Sequence, residues 1–152
     1  MNTVTLDTTV LVKGIIPPGR RKKDPVYEEQ FRLYSIARNI ISEVENGNSI
    51  MYIPSVAAVE VAAVAARLTG KYKRGILASD YVKEQGNIIY DVYLLDKAIK
   101  IAAGTKISGM DAIFIACAVL TGSALITDDK KMYDAALKVG VGAKLLRLLQ
   151  MR

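Results

Sequence analysis

The chain has 152 residues, one domain's worth, and 51% of them are hydrophobic against 24% charged, which supplies a core and argues against intrinsic disorder. It has no histidine, which removes Ser-His-Asp and Cys-His nucleophile systems, histidine acid–base chemistry and His-ligated zinc or iron. The single cysteine, Cys117, excludes an internal disulfide or a Cys-cluster metal site, and the net charge of +6 (21 Lys and Arg against 15 Asp and Glu) favours polyanionic partners, nucleic acid first. Any chemistry must therefore use carboxylates, hydroxyls, lysines or a metal held by oxygen.

Val4 to Leu6 reads as a short strand ending at Asp7, and Thr8 to Lys13 as a turn into a short helix. No signal peptide is expected, because Met1 to Leu6 carry no basic region and meet Asp7 early. Pro17-Pro18-Gly19 breaks the helix, and Arg20-Arg21-Lys22-Lys23 follow as a basic run in a loop. From Pro25 to Glu45 apolar residues recur at helical spacing, and Gly47 closes that helix. Ile50 to Ile53 reads as a second strand, with Ser55 as the N-cap of a helix through Leu68. Gly70 separates that helix from another over Tyr72 to Gln85.

Ile88 to Tyr93 is the expected third strand and Asp96 to Ala103 the next helix. Ser108 caps a strongly apolar helix through Leu120, closed by Gly122. Ala124 to Thr127, Lys130 to Lys138 and Ala143 to Leu146 then read as strand, helix and strand. The longest uncharged stretch, Ala112 to Ile126, is shorter than the roughly 20 apolar residues of a membrane span. The expectation is a soluble, cytoplasmic protein of the α/β class, one domain over residues 1–152, with a central parallel sheet of four to five strands flanked by helices.

Open α/β sheets place their sites at the carboxyl ends of strands, and two such ends here finish on acids: Leu6-Asp7 and Thr127-Asp128-Asp129. No glycine-rich phosphate loop follows either. Taken singly, Asp7, Asp111 and the Asp128–Asp129 pair also suit helix starts, where a short acid satisfies free backbone N–H groups. Glu60 is harder to explain that way. Every residue around it from Val56 to Ala66 is apolar, which predicts a helix buried all round, and an unpartnered carboxylate there is costly. Arg67 or Lys71 reaching back would be the structural explanation, although neither stands at a favourable spacing. Four acids gathered in one cleft would repel, and a divalent cation is the economical remedy; all-oxygen ligands select Mg²⁺ or Mn²⁺.

These residues, Val4 to Lys13, Pro54-Ser55 through Glu60-Val61, Met110 to Ala116 and Ala124 to Met132, resemble in order the PIN domain family of metal-dependent ribonucleases. The resemblance is to the compact VapC-type toxins of toxin–antitoxin pairs in particular, and it spans nearly the whole chain. It implies a PIN-like nuclease fold with Asp7, Glu60, Asp111 and Asp129 as the catalytic acids, Asp7 and Asp111 as the main metal ligands, and Mg²⁺ or Mn²⁺ as the cofactor. It also implies Thr9 and Thr127 as hydroxyls steadying the acids, with Asp128 in the variable slot as an auxiliary. RNA would be the substrate, with Arg20, Arg21, Lys22 and Lys23 available to its phosphates. A cognate antitoxin and a homodimer are the implied partners; Leu145, Leu146, Leu148 and Leu149 offer one apolar surface for a dimer, and a final strand and helix end explains them equally well. The alternative is a PIN-like module that binds RNA or protein without cutting. An aspartyl-phosphate phosphatase is disfavoured, because the second acid expected two residues after Asp7 is Thr9.

Overall fold

The computed structural model describes residues 2–151; Met1 and Arg152, the ends of the expected domain, lie outside the described residues. The chain begins with β1 (Asn2–Leu6), α1 (Thr8–Ile15), α2 (Pro25–Glu45), β2 (Ser49–Pro54) and a helical hairpin of α3 (Ser55–Thr69) and α4 (Tyr72–Gln85). It continues with β3 (Asn87–Ile89), α5 (Asp91–Thr105), α6 (Gly109–Thr121), β4 (Ala124–Thr127), α7 (Lys130–Lys138) and β5 (Ala143–Leu145), closing on a 3₁₀ turn over Leu146–Leu148. The five strands form one sheet in the order β3-β2-β1-β4-β5, every pairing parallel.

That order dictates the layers. Right-handed crossovers from β1 outward to β2 and β3 put α1 to α4 on one face. The return from β3 across the sheet to β4 and β5 puts α5 to α7 on the other. The direction of travel reverses between β1 and β4, whose register pairs Leu6 with Ile126, so the residues that follow these two strands share one crevice. Leu6, Ile53, Leu125, Ile115 and Phe114 lie almost wholly out of solvent in the core between the layers.

Four helix ends, on three helices, fall on the residues that should form them. Asp24 caps α2 by accepting from Tyr27 N, with Pro25 at the first helical position. Ser108 caps α6 by accepting from Asp111 N, and Gly70 and Gly122 close α3 and α6 in the left-handed conformation. The expected burial of α6 holds, with six consecutive or near-consecutive residues from Ala112 to Ala118 buried.

Other expectations need correction. Helix α3 is not buried all round: only Ala57, Val61 and Ala65 are buried, while Val59 is 69% exposed. Its uniform alanine and valine content hides a one-sided burial that hydropathy cannot register. Ser55 is not an N-cap but the first residue of α3; Pro54 holds the cap position without a side-chain bond. The Ser55 hydroxyl instead donates to Asp91 Oδ1 at 2.9 Å and accepts from Asp91 N at 3.3 Å. This contact starts α5 at Asp91, so β3 stops at Ile89 and Tyr93, expected in the strand, lies in the helix. At the carboxyl end Leu145 and Leu146 are buried and Leu149 packs against the core, leaving only Leu148 of those four leucines exposed. They complete the core and do not form an outward apolar patch.

Candidate functional site

Asp7 is the first residue past β1 and the N-cap of α1. Its Oδ1 accepts from Val10 N at 2.8 Å, and its Oδ2 accepts from the Thr127 hydroxyl at the end of the neighbouring β4. The backbone bond from Asp7 N to Ile126 O, 3.1 Å, carries the parallel ladder to the edge of the site. The side chain is only 5% exposed. That burial pushes its pKa up to about 6, against the opposing hydrogen bonds from Thr127 and from the backbone of Val10 and Asp128.

Residues 127 to 129 send three side chains in three directions. Thr127, fully buried, donates to Asp7 and accepts from Asp129 N at 3.0 Å. Asp128 turns away to two cations: Lys13 Nζ lies 2.6 Å from Oδ2 and Arg147 Nε 3.0 Å from Oδ1. Arg147 also donates to the Asp128 carbonyl at 2.6 Å. Burial alone would raise the Asp128 pKa, but the bonds from Lys13 and Arg147 outweigh it and hold the carboxyl below its ordinary value. Asp129 is exposed and caps α7 by accepting from Met132 N at 3.1 Å.

Asp111 stands half-buried in the first turn of α6, which starts at the same edge of the sheet because its far end leads into β4. Burial raises its pKa, and the nearby charge of Asp129 adds to the rise. Glu60, also half-buried, accepts from the Thr8 hydroxyl at 2.7 Å, so its partner is the residue beside Asp7 and neither Arg67 nor Lys71. Thr9 is exposed. The expected acids thus fall around one sheet edge, in two linked groups: Asp7 with Thr127, Asp128 and Asp129, and Glu60 with Thr8. Asp111 joins through its coupling to Asp129.

Among the described residues no three of these acids stand close enough together to enclose a metal ion. The chemistry of the donors nonetheless fits a hard cation: all are carboxylates, and the buried Asp7 and the half-buried Asp111, which lies near the charge of Asp129, carry raised proton affinities that a cation would relieve. In the basic run, Arg20 is tied to Asp24 by bonds of 3.0 and 2.5 Å, and Lys23 sits 3.7 Å from the Tyr27 ring centre. Arg21 and Lys22 are exposed. Three participants escaped the sequence reading. Thr8 was passed over for Thr9, Lys13 lies six residues from Asp7 on the same helix, and Arg147 has no local signal because its partner is 19 residues upstream.

No curated protein sequence matches the chain. Among solved structures, VapBC2 from Rickettsia felis bound to a promoter DNA fragment superposes with a TM-score of 0.63 at 14% identity, covering 94% of this chain and 98% of that one. A toxin–antitoxin complex from Klebsiella pneumoniae superposes at 0.61 with 21% identity, over 97% and 99% of the two chains. VapBC-1 from nontypeable Haemophilus influenzae gives 0.61 at 18% identity, over 95% and 98%. At these identities the likeness concerns the fold. The sequence model of the PIN domain matches residues 4–138, nearly the full span of the sheet and its helices, and the chain therefore belongs to the PIN domain family.

Proposed function

We propose that this PIN domain is a metal-dependent endoribonuclease and the toxin of a VapBC-type pair. The observation that carries the reading is the buried Asp7 at the β1/β4 crevice, its pKa pushed up to about 6, with the Asp111 pKa also raised close by, by burial and by the charge of Asp129. Structural groups are seldom arranged to be this uncomfortable without a ligand. Asp7 and Asp111 would hold Mg²⁺ or Mn²⁺, with Glu60 and Asp129 contributing directly or through water. When bound, such an ion lowers the pKa of water and offsets negative charge developing on a phosphodiester.

The chain's own residues supply orientation. Thr127 fixes the rotation of the Asp7 carboxylate, and Asp128, clamped by Lys13 and Arg147, fixes the loop that carries Thr127 and Asp129. Thr8 holds Glu60 toward the same edge, and Thr9, exposed one residue on, is available to bound water. Arg21 and Lys22, with Arg20 and Lys23 beside them, would add attraction for RNA phosphates.

A protein antitoxin is the partner suggested by neighbours that are themselves toxin–antitoxin complexes. A groove of about 540 Å³ lined by Val12, Ile16, Tyr34 and Leu68, together with Lys71 and Arg74, is roomy and apolar enough to receive a peptide segment. A homodimer would use a surface other than the carboxyl-terminal leucines; Val92, Leu95 and Ile99 of α5 are exposed at helical spacing. Among the described residues no single helix is long and apolar enough to cross a membrane, and we place the activity in the cytoplasm. The second reading, a module that binds RNA without cutting, draws support from the spacing of the acids, no three of which enclose an ion as they stand.

The test is cleavage of a mixed labelled RNA pool with Mg²⁺ or Mn²⁺, comparing wild type with Asp111→Asn after both are shown to be folded. Cleavage by wild type alone, abolished by chelator, supports the nuclease. Binding by both without cleavage by either moves the binding module ahead.

A further inference from the structure

Beside Asp111 a second cleft of about 550 Å³ opens between α7 and the segment that joins α5 to α6. Its α7 wall is one helical face: Lys131, Asp134, Ala135 and Lys138 stand at i, i+3, i+4 and i+7. The opposite wall carries Lys106 and Ser108. The charge of Asp134 is already answered by Lys130 at 2.5 Å. None of Lys106, Lys131 and Lys138 takes part in any of the ion pairs among the described residues. All three are exposed, and Lys138 reaches only the Gly104 carbonyl, at 3.4 Å. The cleft therefore presents three uncompensated ammonium groups in a space it shares with a candidate metal ligand.

Lys106 adds an independent observation. It ends α5 at φ 61, the only non-glycine residue with positive φ among those described, while α3 and α6 end on Gly70 and Gly122 at φ 68 and 66. A residue with a Cβ is strained there, a strain glycine would not carry. Placing a long cation at this position projects charge into the cleft at the expense of backbone comfort.

We propose that this cleft is the path of the RNA backbone as it leaves the carboxylate site, with Lys106, Lys131 and Lys138 as phosphate contacts. This rests on the nuclease reading and names the track its substrate follows. Lys131 and Lys138 are about 10 Å apart along α7, the rise of seven helical residues. That is about three nucleotides of a stacked strand. The α7 face begins at Asp129 and leads away from it, so one strand contacts the acids at one end and the lysines along its length. Ammonium groups read charge and not sequence, so the track gives affinity without base preference.

The test is fluorescence-anisotropy binding of a short labelled single-stranded RNA over a salt series. The protein is the Asp111→Asn form, which should not consume the probe. The comparison is between that protein alone and the same protein carrying Lys106→Asn, Lys131→Gln and Lys138→Gln. Asparagine tolerates the left-handed conformation, so folding is preserved at residue 106. Each lost phosphate contact lowers the slope of log K against log salt by about 0.7, so the triple change should lower it by about 2. Lys83→Gln, on α4 just before the far end of β3, should leave the slope unchanged. An unchanged slope in the triple variant, with wild type still cutting RNA in a metal-dependent way, overturns the track and leaves the nuclease standing. If the parent protein binds no RNA and wild type cuts none, both fall.

Discussion

Replacing Asp7 by Asn should make the apo protein more stable at neutral pH, and the size of the gain follows from the burial of the carboxylate. In the folded chain its pKa is about 6, against 3.8 for the free group. Between those values the folded state binds the proton more readily than the unfolded state does, so the stability that Asp7 contributes falls as pH rises. The contribution is fully present below about pH 3.8 and is lost as pH passes through 6. Two pH units of difference correspond to about 3 kcal/mol. Asn keeps an oxygen for Val10 N and a comparable shape, but never acquires a charge. The assay is urea unfolding of both proteins in chelator from pH 4 to pH 8. The stability of the variant relative to wild type should rise across that range by up to about 3 kcal/mol and level off above pH 7. Adding Mn²⁺ at pH 7.5 should then stabilise wild type and leave the variant unmoved. A relative stability that stays flat from pH 4 to 8 would refute the argument, because it would mean Asp7 titrates alike in the folded and unfolded chains.

Lys13→Gln should leave Asp128 with Arg147 alone and cost about 1–3 kcal/mol near pH 7. Because the Asp128 pKa is lowered in the folded state, that penalty is present above the ordinary carboxylate value of 3.8 and fades as pH falls through the lowered one; a penalty that persists undiminished in acid would contradict the pairing. Gly75→Ala should lower the melting temperature. A Cβ there would stand 2.5 Å from the Ala62 carbonyl oxygen and 3.0 Å from the Ala66 Cβ, a backbone clash that costs about 1–3 kcal/mol and outweighs the better helix propensity of alanine. Calorimetry giving an equal or higher melting temperature would show that the α3–α4 hairpin can relax.

Much of the fold was legible where local signals are strong. The bounds of α2, α4 and α7 coincide with those read from helical periodicity and flanking Pro, Gly or Asp residues. The misreadings come from contacts distant in sequence. Ser55 looked like a cap because it follows a strand, yet its hydroxyl serves Asp91, 36 residues on, and that contact shortens β3. Helix α3 read as buried because alanine and valine carry no polar label to mark the solvent face, although Val59 is largely exposed. At the site, the strand ends made Asp7 and Asp129 visible and the capping pattern made Asp111 visible. Whether Thr8 or Thr9 meets Glu60 depends on the rotation of the first turn of α1, which spacing does not determine. The clamp on Asp128 needed Arg147, brought near only when β5 and the closing turn have packed.

The position of β1 at the centre of the sheet also governs when the site comes into being during synthesis. The strand precedes both of its partners in the chain, pairing on one side with residues 49–51 and on the other with residues 124–126. Thr127, which orients the Asp7 carboxylate, lies 120 residues downstream. Until that segment leaves the ribosome, Asp7 sits on a half-paired strand, solvated, with an ordinary acidity and no neighbouring acids from α6 or the 127–129 loop. Contacts so far apart in sequence form late and together. The crevice accordingly assembles only once residues 124–129 are available to pair with β1 and reach Asp7.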